Sequence, residues 1–304
     1  KDFELYSSFF TTWLKDHRFK HAASTTPVRR EKAVIAKKYE VDFAADKADY
    51  LAGRKQSLTF FAADTLLTSQ LVKPGTVDVD GKAVTTKNIV LATGSSVKWF
   101  PGMEPDGKGI ITSNEALSLK AVPKSMVVIG AGAVGMEFAS VYHRFGSQMH
   151  VVELMPQILP IEDEEVANEL QKILTKRGMK FHVGTKVESI KPAPGGYDVT
   201  VAKDGKSEKI ATEIVLVAVG RKPNTEKIGL EGTKVKVDRG YVKTNPFMQT
   251  DEPGIYATGE IVPTPQQTHV PGAEGILVVE HIAGKNPKPI NYDRIPGVTY
   301  CDPQ

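Results

Sequence analysis

The stretch Val127-Val-Ile-Gly130-Ala-Gly132-Ala133-Val134-Gly135 constrains this chain more than any other. A short β-branched run leads straight into three glycines spaced G-x-G-x-x-G, and a helical pattern follows. In that setting the first glycine permits the tight turn, the second lets backbone approach a pyrophosphate, and the third lets the helix pack closely on the strand. With Ala133 and Val134 opening the helix, the phosphate charge would meet free N–H groups and the positive end of the helix dipole. An acid, Glu153, ends the next strand about 20 residues on, where a carboxylate accepts hydrogen bonds from ribose hydroxyls. It would repel a 2′-phosphate, and Leu154, Met155 and Pro156 bring no cation to receive one, so the pattern favours NAD over NADP. A glycine turn without a ligand is the bland alternative; strand, helix and acid together weigh against it.

The surrounding pattern supplies the frame such a turn needs. Between about 121 and 245 the order is β-α-β-α-β followed by hairpin strands, as in a doubly wound sheet. A strand is expected over Met126 to Ile129. The helix after it is expected to bury Val134, Phe138, Val141, Tyr142 and Phe145 and to stop at Gly146. A strand over Met149 to Glu153 comes next. The second helix starts near Asp163, points Val166, Leu170, Ile173 and Leu174 inward, and ends at Gly178 before a strand over Lys180 to Val183. Gly195-Gly196 links alternating strands around Val187 to Lys191 and Tyr197 to Ala202. Glu213 to Gly220 is a continuous apolar run suited to a strand buried on both faces.

Outside this unit, residues 1 to about 55 read as helical, with Phe9, Phe10, Trp13 and Leu14 at helical spacing. Short antiparallel strands are expected from Ser57 to about Leu91, with turns at Pro74-Gly75 and Asp80-Gly81. Asn88 to Gly94 reads as a buried strand ending in glycine. A similar end recurs at Gly254 to Gly259, followed by a helix from about Ala273 to Ala283. Ala92-Thr93-Gly94 and Ala257-Thr258-Gly259 thus flank the β-α-β unit, as when one domain is interrupted by another. Both ends, and Gly220, are places where backbone can approach a ligand, or they are plain strand termini. Together with the fingerprint they suggest two nucleotides bound near each other.

Composition narrows the function classes. The chain has 304 residues, enough for two domains, and its 39 Lys and Arg nearly balance 36 Asp and Glu without gathering into a tract, which argues against a nucleic-acid partner. Arg29, Arg30, Lys32, Lys37 and Lys38 read as a solvated helix face. The one cysteine, Cys301, rules out an internal disulfide framework and a cysteine metal site, points to a reducing compartment, and reads as structural; no metal is expected. The longest apolar stretch, Ser125 to Tyr142, is interrupted by three glycines and Glu137, so it is no membrane span. Glu137 among apolar neighbours needs a partner or a proton if buried, or else is an exposed helix residue. His269 and Cys301 lack the spacing of a triad.

With these residues placed, the chain resembles the dihydrolipoamide dehydrogenases within the glutathione-reductase-like flavoproteins. The resemblance is carried by Asn88 to Ser95, Pro123 to Ala139, Leu159 to Gly178, Val217 to Asn224, Gly254 to Glu260 and Gly297 to Gln304. It is dense from about residue 87 and thin before it. It implies an α/β fold of two Rossmann-like dinucleotide-binding domains, the NAD domain inserted into an incomplete FAD domain. The implied limits are 1–119 for the first part of the FAD domain, 120–245 for the NAD domain, 246–290 for the second part of the FAD domain, and 291–304 for the start of a dimerisation domain.

The resemblance also implies roles. Ala92, Thr93, Gly94, Gly259 and Glu260 would lie against FAD, with Glu260 standing where relatives usually have Asp. His269 matches a position near the flavin. Glu137 matches a glutamate near the nicotinamide and flavin ring, and Lys1 is aligned with the lysine that pairs with it. The implied reaction is oxidation of dihydrolipoamide, carried on the acyltransferase component of a 2-oxoacid dehydrogenase complex, with electrons passing through a disulfide and FAD to NAD. A homodimer when complete, located in bacterial cytoplasm or mitochondrial matrix and without membrane or nucleic-acid contacts, goes with it. The family's first FAD fingerprint and redox cysteine pair would precede Lys1, and its dimerisation domain would follow Gln304. A chain with one cysteine cannot form the disulfide relay. It is therefore expected to be either part of a longer enzyme or a fragment that binds nucleotides without catalysis. A flavin-dependent diaphorase or another disulfide reductase is the further alternative.

Overall fold

The computed structural model describes residues 69–79, 81–267 and 269–303. The helices expected before residue 56, the strand residues 57–68 and Lys1 lie outside the described residues. Those described gather into two compact units, one comprising 69–94 with Asn224–Tyr292, the other Ser95–Pro223 with Asp293 onward.

The described residues open with an antiparallel meander, β1 (Ser69–Lys73), β2 (Thr76–Val79) and β3 (Lys82–Thr85). Its turns fall at Gly75 (φ 77°) and Gly81 (φ 76°), where the left-handed backbone favours glycine. β4 (Ile89–Leu91) follows. Ile89 and Leu91 are buried, but Val90 between them is 40% exposed, so this strand is half-buried where the sequence suggested a buried one. The period of two places its outward residue in view.

The second unit begins with β5 (Ser95–Val97) and β6 (Ile110–Ile111). A one-turn helix, α1 (Ser113–Ala116), is closed by a capping box between Thr112 and Glu115. The fingerprint region follows as β7 (Ser125–Ile129), α2 (Ala133–Arg144), β8 (Gln148–Val152), α3 (Glu164–Lys176) and β9 (Lys180–His182). Then comes a second meander, β10 (Lys186–Ala193), β11 (Gly196–Lys203) and β12 (Lys206–Thr212), and last β13 (Ile214–Val217) and β14 (Arg221–Pro223). The parallel sheet has the order β6-β13-β7-β8-β9, so β7 is central. Its alternate residues serve two cores. Met126 and Val128 pack with Met136, Ala139, Tyr142 and Leu174 on the helical side, and Val127 and Ile129 pack with Val199, Val201 and Val215 on the meander side. Each Val, Ile, Leu or Met side chain among them removed from water contributes about 1.5–3 kcal/mol.

The helices keep the expected limits but not all the expected faces. α2 ends at Gly146, where Gly146 N–H reaches His143 O and Ser147 N–H reaches Tyr142 O; α3 ends in the same way at Gly178. Asp163 caps α3 by accepting from Glu165 and Val166 N–H. On α2, however, Val134, Val141 and Phe145 are 42%, 44% and 52% exposed, and Met136 and Ala139 point inward beside Tyr142. The closest approach is made by Gly135, and that contact, rather than the broadest apolar stripe, sets the helix rotation. On α3, Val166 is exposed and Ala167, Leu170 and Leu174 face the core.

The chain returns to the first unit with β15 (Val237–Asp238), β16 (Tyr241–Val242) and β17 (Ile255–Ala257). β17 pairs in parallel with β4, Ile255 opposite Ile89 and Ala257 opposite Leu91. A 3-10 turn, Gly259–Ile261, leads to α4 (His269–Ile282). α4 starts before the expected Ala273, because Pro271 falls in its first turn, where a missing N–H costs no helical hydrogen bond. The units divide at 94/95, 223/224 and 292/293, against sequence limits of 119/120, 245/246 and 290/291. Residues 95–119 go with the second unit because β5 pairs with β14 and β6 joins the parallel sheet.

Candidate functional site

The three fingerprint glycines are glycine for different reasons. At Gly130 the backbone is left-handed (φ 100°), its N–H donates to Val152 O at 2.8 Å, and an added Cβ would lie 2.4 Å from Ala218 O. At Gly135 a Cβ would lie 2.0 Å from Gly130 O. Backbone leaves no room at either position. Gly132, the N-cap of α2, is extended (φ −70°, ψ 179°), a conformation any residue adopts, and a Cβ there would meet nothing within 4 Å. Neither strain nor crowding within the chain calls for glycine at that position. What glycine leaves there is a bare backbone edge at the start of a helix whose first residues, Ala133 and Val134, are exposed.

Glu153 lies beside this edge. One carboxylate oxygen accepts from Ala131 N–H at 2.7 Å and the other from Met155 N–H at 2.8 Å. Its own N–H donates to His182 O, and its carbonyl accepts from Thr185 N–H. The acid is thus fixed next to the turn, and each oxygen keeps capacity for a further donor. Leu159, in left-handed conformation (φ 46°), donates its N–H to Ala131 O at 2.7 Å and folds the following loop back on the turn. Gly220 (φ 108°) ends the run after β13, is exposed, and accepts Lys98 N–H through its carbonyl.

In the first unit the two Ala-Thr-Gly ends come together. Thr258 N–H donates to Leu91 O, and a Cβ on Gly94 would lie 4.0 Å from a carboxylate oxygen of Glu260. Thr93 Oγ1 donates to Asn224 O at 2.6 Å, Asn224 Nδ2 returns a bond to Thr93 O, and Asn224 N–H donates to Gly94 O. Ala92 is exposed, and Gly94 and Gly259 are left-handed (φ 68° and 78°). His269 opens α4 and is exposed.

Sequence reasoning missed Glu274. It is fully buried, accepts from Gly259 N–H at 2.7 Å with one oxygen, and accepts from the Tyr292 hydroxyl at 3.0 Å with the other. Burial and the Glu274 charge hold the Tyr292 hydroxyl well above the usual tyrosine range. A signal existed: Glu274 lies four residues from Val270 and from Val278, on the inward face of α4. Also missed were His150 and His182, whose rings stack at 5.3 Å with Nδ1 and Nε2 3.0 Å apart, while His182 Nδ1 meets Glu208 at 3.0 Å.

Glu137 is half-buried and accepts from Tyr300 N–H at 2.9 Å; Lys1, its expected partner, is outside the described residues. Burial and the neighbouring Glu137 charge push the Cys301 thiol up to about 12, so it stays protonated and unreactive. The segment around it is held by Asp302, which pairs with Arg144 at 2.6 Å and Arg177 at 2.9 Å. Among the described residues no group of three or more His, Cys, Asp or Glu is placed to hold a metal ion, and no helix is long and apolar enough to cross a membrane.

Residues 17–275 match the family described as pyridine nucleotide-disulphide oxidoreductase. The dihydrolipoyl dehydrogenase of Bacillus subtilis is 37% identical over 76% of this chain and 50% of its own length. That of Rhizobium etli is 43% identical over 72% of this chain and 46% of its own. The chain therefore spans about half the length of the curated relatives it matches. Among solved structures, LpdA from Mycobacterium tuberculosis is similar in fold, with a TM-score of 0.72 at 24% identity, over 98% of this chain and 65% of that one.

Proposed function

Because the chain belongs to the pyridine nucleotide-disulphide oxidoreductases, we propose that its second unit binds NAD, that its first unit supplies part of an FAD site, and that the intact protein is a dihydrolipoamide dehydrogenase. The observation carrying this reading is the open space at Gly132 between two glycines whose surroundings are full. A pyrophosphate placed there would meet backbone N–H groups and the positive end of the α2 dipole, with no Cβ at Gly132 in its way. Glu153, already oriented by Ala131 and Met155, would accept from the adenosine ribose and disfavour a 2′-phosphate. Gly220 would lend a further bare backbone edge.

The twin strand ends fit the flavin nucleotide in the same terms. Thr93, Gly94 and Gly259 offer backbone without bulk, Ala92 is open beside them, and Glu260 presents a carboxylate to hydroxyl donors. His269 is assigned to the flavin side and Glu137 to the nicotinamide side by resemblance. When bound, FAD and NAD supply the acceptance and relay of a hydride. The protein's part is to bind, orient and keep water away. Overall, dihydrolipoamide gives up two electrons and two protons to become the cyclic disulfide, and NAD takes a hydride while one proton is released.

A disulfide relay requires two exchangeable thiols. Cys301, buried and protonated, is the single cysteine of the sequence, so the relay pair belongs to another part of the intact protein. The acyltransferase component of a 2-oxoacid dehydrogenase complex as substrate carrier, a homodimeric assembly, a bacterial cytoplasmic or mitochondrial matrix location, and the division into FAD, NAD and dimerisation domains belong to the same proposal. The names of the bacterial relatives support it. The test is a full-length preparation assayed for a flavin spectrum and for lipoamide-dependent NADH turnover. Both are expected, and the absence of both would overturn the assignment. A nucleotide-binding module without catalysis, which the inert Cys301 favours, would show NADH affinity with neither.

A further inference from the structure

Glu274 is a costly residue to keep where it is. A carboxylate removed wholly from water gives up its hydration, and an apolar side chain of similar volume would fill the space between Val270 and Val278 without that loss. What the acid provides is two directed hydrogen bonds. One ends on Gly259 N–H, inside the left-handed turn that follows β17, and the other on the Tyr292 hydroxyl. Glu260 is the next residue along that turn, and its carboxylate faces Gly94 at the neighbouring strand end. The Thr258–Gly259 peptide, which leads into Glu260, is thus held through its N–H by Glu274.

We propose that Glu274, braced by Tyr292, is a positioning residue for the flavin-nucleotide site: it fixes the Gly259 turn so that Glu260 and the Thr93–Gly94 edge are held ready for the ligand. The inference rests on the assignment of FAD to the first unit. A carboxylate does this better than a hydroxyl, because a charge-assisted bond to a buried N–H is roughly twice as strong as a neutral one. Glutamine is the informative substitute. Its carbonyl oxygen can keep the Gly259 bond while its amide donates to the Tyr292 oxygen, whose proton can then turn toward Met248 Sδ, 3.8 Å away.

The experiment titrates a flavin-stripped full-length preparation and its variants with FAD, reading flavin fluorescence and the visible circular dichroism of the bound ring, and titrates each with NADH as a check on the second unit. Glu274→Leu is expected to weaken FAD binding by about tenfold or more and to alter the flavin dichroism, with NADH affinity unchanged. Glu274→Gln is expected to stay within about threefold of the parent. Equal FAD affinity and dichroism in the leucine variant would overturn the inference while leaving the flavin assignment intact. No FAD uptake by the full-length parent would sink that assignment, and this inference with it. Should the leucine variant fail to fold, Tyr292→Phe decides, with about a threefold weakening expected and an unchanged value overturning the proposal.

Discussion

The glycine turn of the second unit and the paired strand ends of the first, the two proposed nucleotide sites, both set bare backbone beside a carboxylate, but they are built in opposite ways. The turn is local. Gly130, Gly132 and Gly135 lie within one strand-to-helix connection, and the acid that completes it, Glu153, is one strand later. The strand ends are assembled from segments far apart in sequence, joined by the parallel pairing of β4 with β17, by the Thr93–Asn224 bonds and by Glu274 beneath Gly259. A local site tolerates little change in its own few residues. An assembled one depends on residues outside its own edge, such as Glu274 and Asn224.

Breaking the local site should give the largest effect. Gly135→Val places a side chain onto Gly130 O, where a Cβ would already sit at 2.0 Å, so the helix must leave the sheet. A loss of about 3 kcal/mol or more is expected in denaturant unfolding. A variant as stable as the parent would show that α2 does not pack on the turn as described. Next in size is Glu153→Ala. Losing a charged acceptor should weaken NADH about tenfold and narrow the preference over NADPH, both measurable by fluorescence titration. If the preference stays as wide as in the parent, the carboxylate does not face the ribose.

Acid provides a smaller effect that separates the units. His150 is drawn down from 6.5 to about 4, first by burial and then by His182 and Lys180; His182 is also lowered, first by burial, with Glu208 opposing. Because the unfolded chain binds these protons more readily than the folded one, the stability they contribute is present above the ordinary imidazole value. It is lost as pH falls from 6.5 toward about 4. The rings are partly exposed, so solvent screening keeps the loss on the order of 1 kcal/mol. The second unit should therefore loosen first on acidification, seen by hydrogen exchange at β8 and β9, and His150→Gln should flatten the dependence. A loss of equal size in both units would contradict it.

The contrast between the sites also explains what could be read beforehand. The turn, the acid and the helix stops at Gly146 and Gly178 were legible because each is a short-range backbone requirement written in glycine or in strand spacing. The inward face of α2 was not, because the close approach at Gly135 turns Met136 and Ala139 inward and leaves Val134, Val141 and Phe145 outside. Glu274 was hidden because its partners lie 15 and 18 residues away and only the fold brings them to it. The His150–His182 pair was hidden likewise, its members standing on neighbouring strands 32 residues apart in sequence. Short-range chemistry can be read from order alone; long-range satisfaction of a buried polar group requires the fold.

The most direct test concerns Gly132. Calorimetric titration of the chain with NADH, before and after Gly132→Val, isolates the open edge, since a side chain there meets nothing of the protein within 4 Å. Binding by the parent, a loss of about a hundredfold in the variant, and unfolding free energies within about 0.5 kcal/mol of each other are expected. A parent chain indifferent to NADH, or a valine variant that binds as tightly as its parent, would contradict the account.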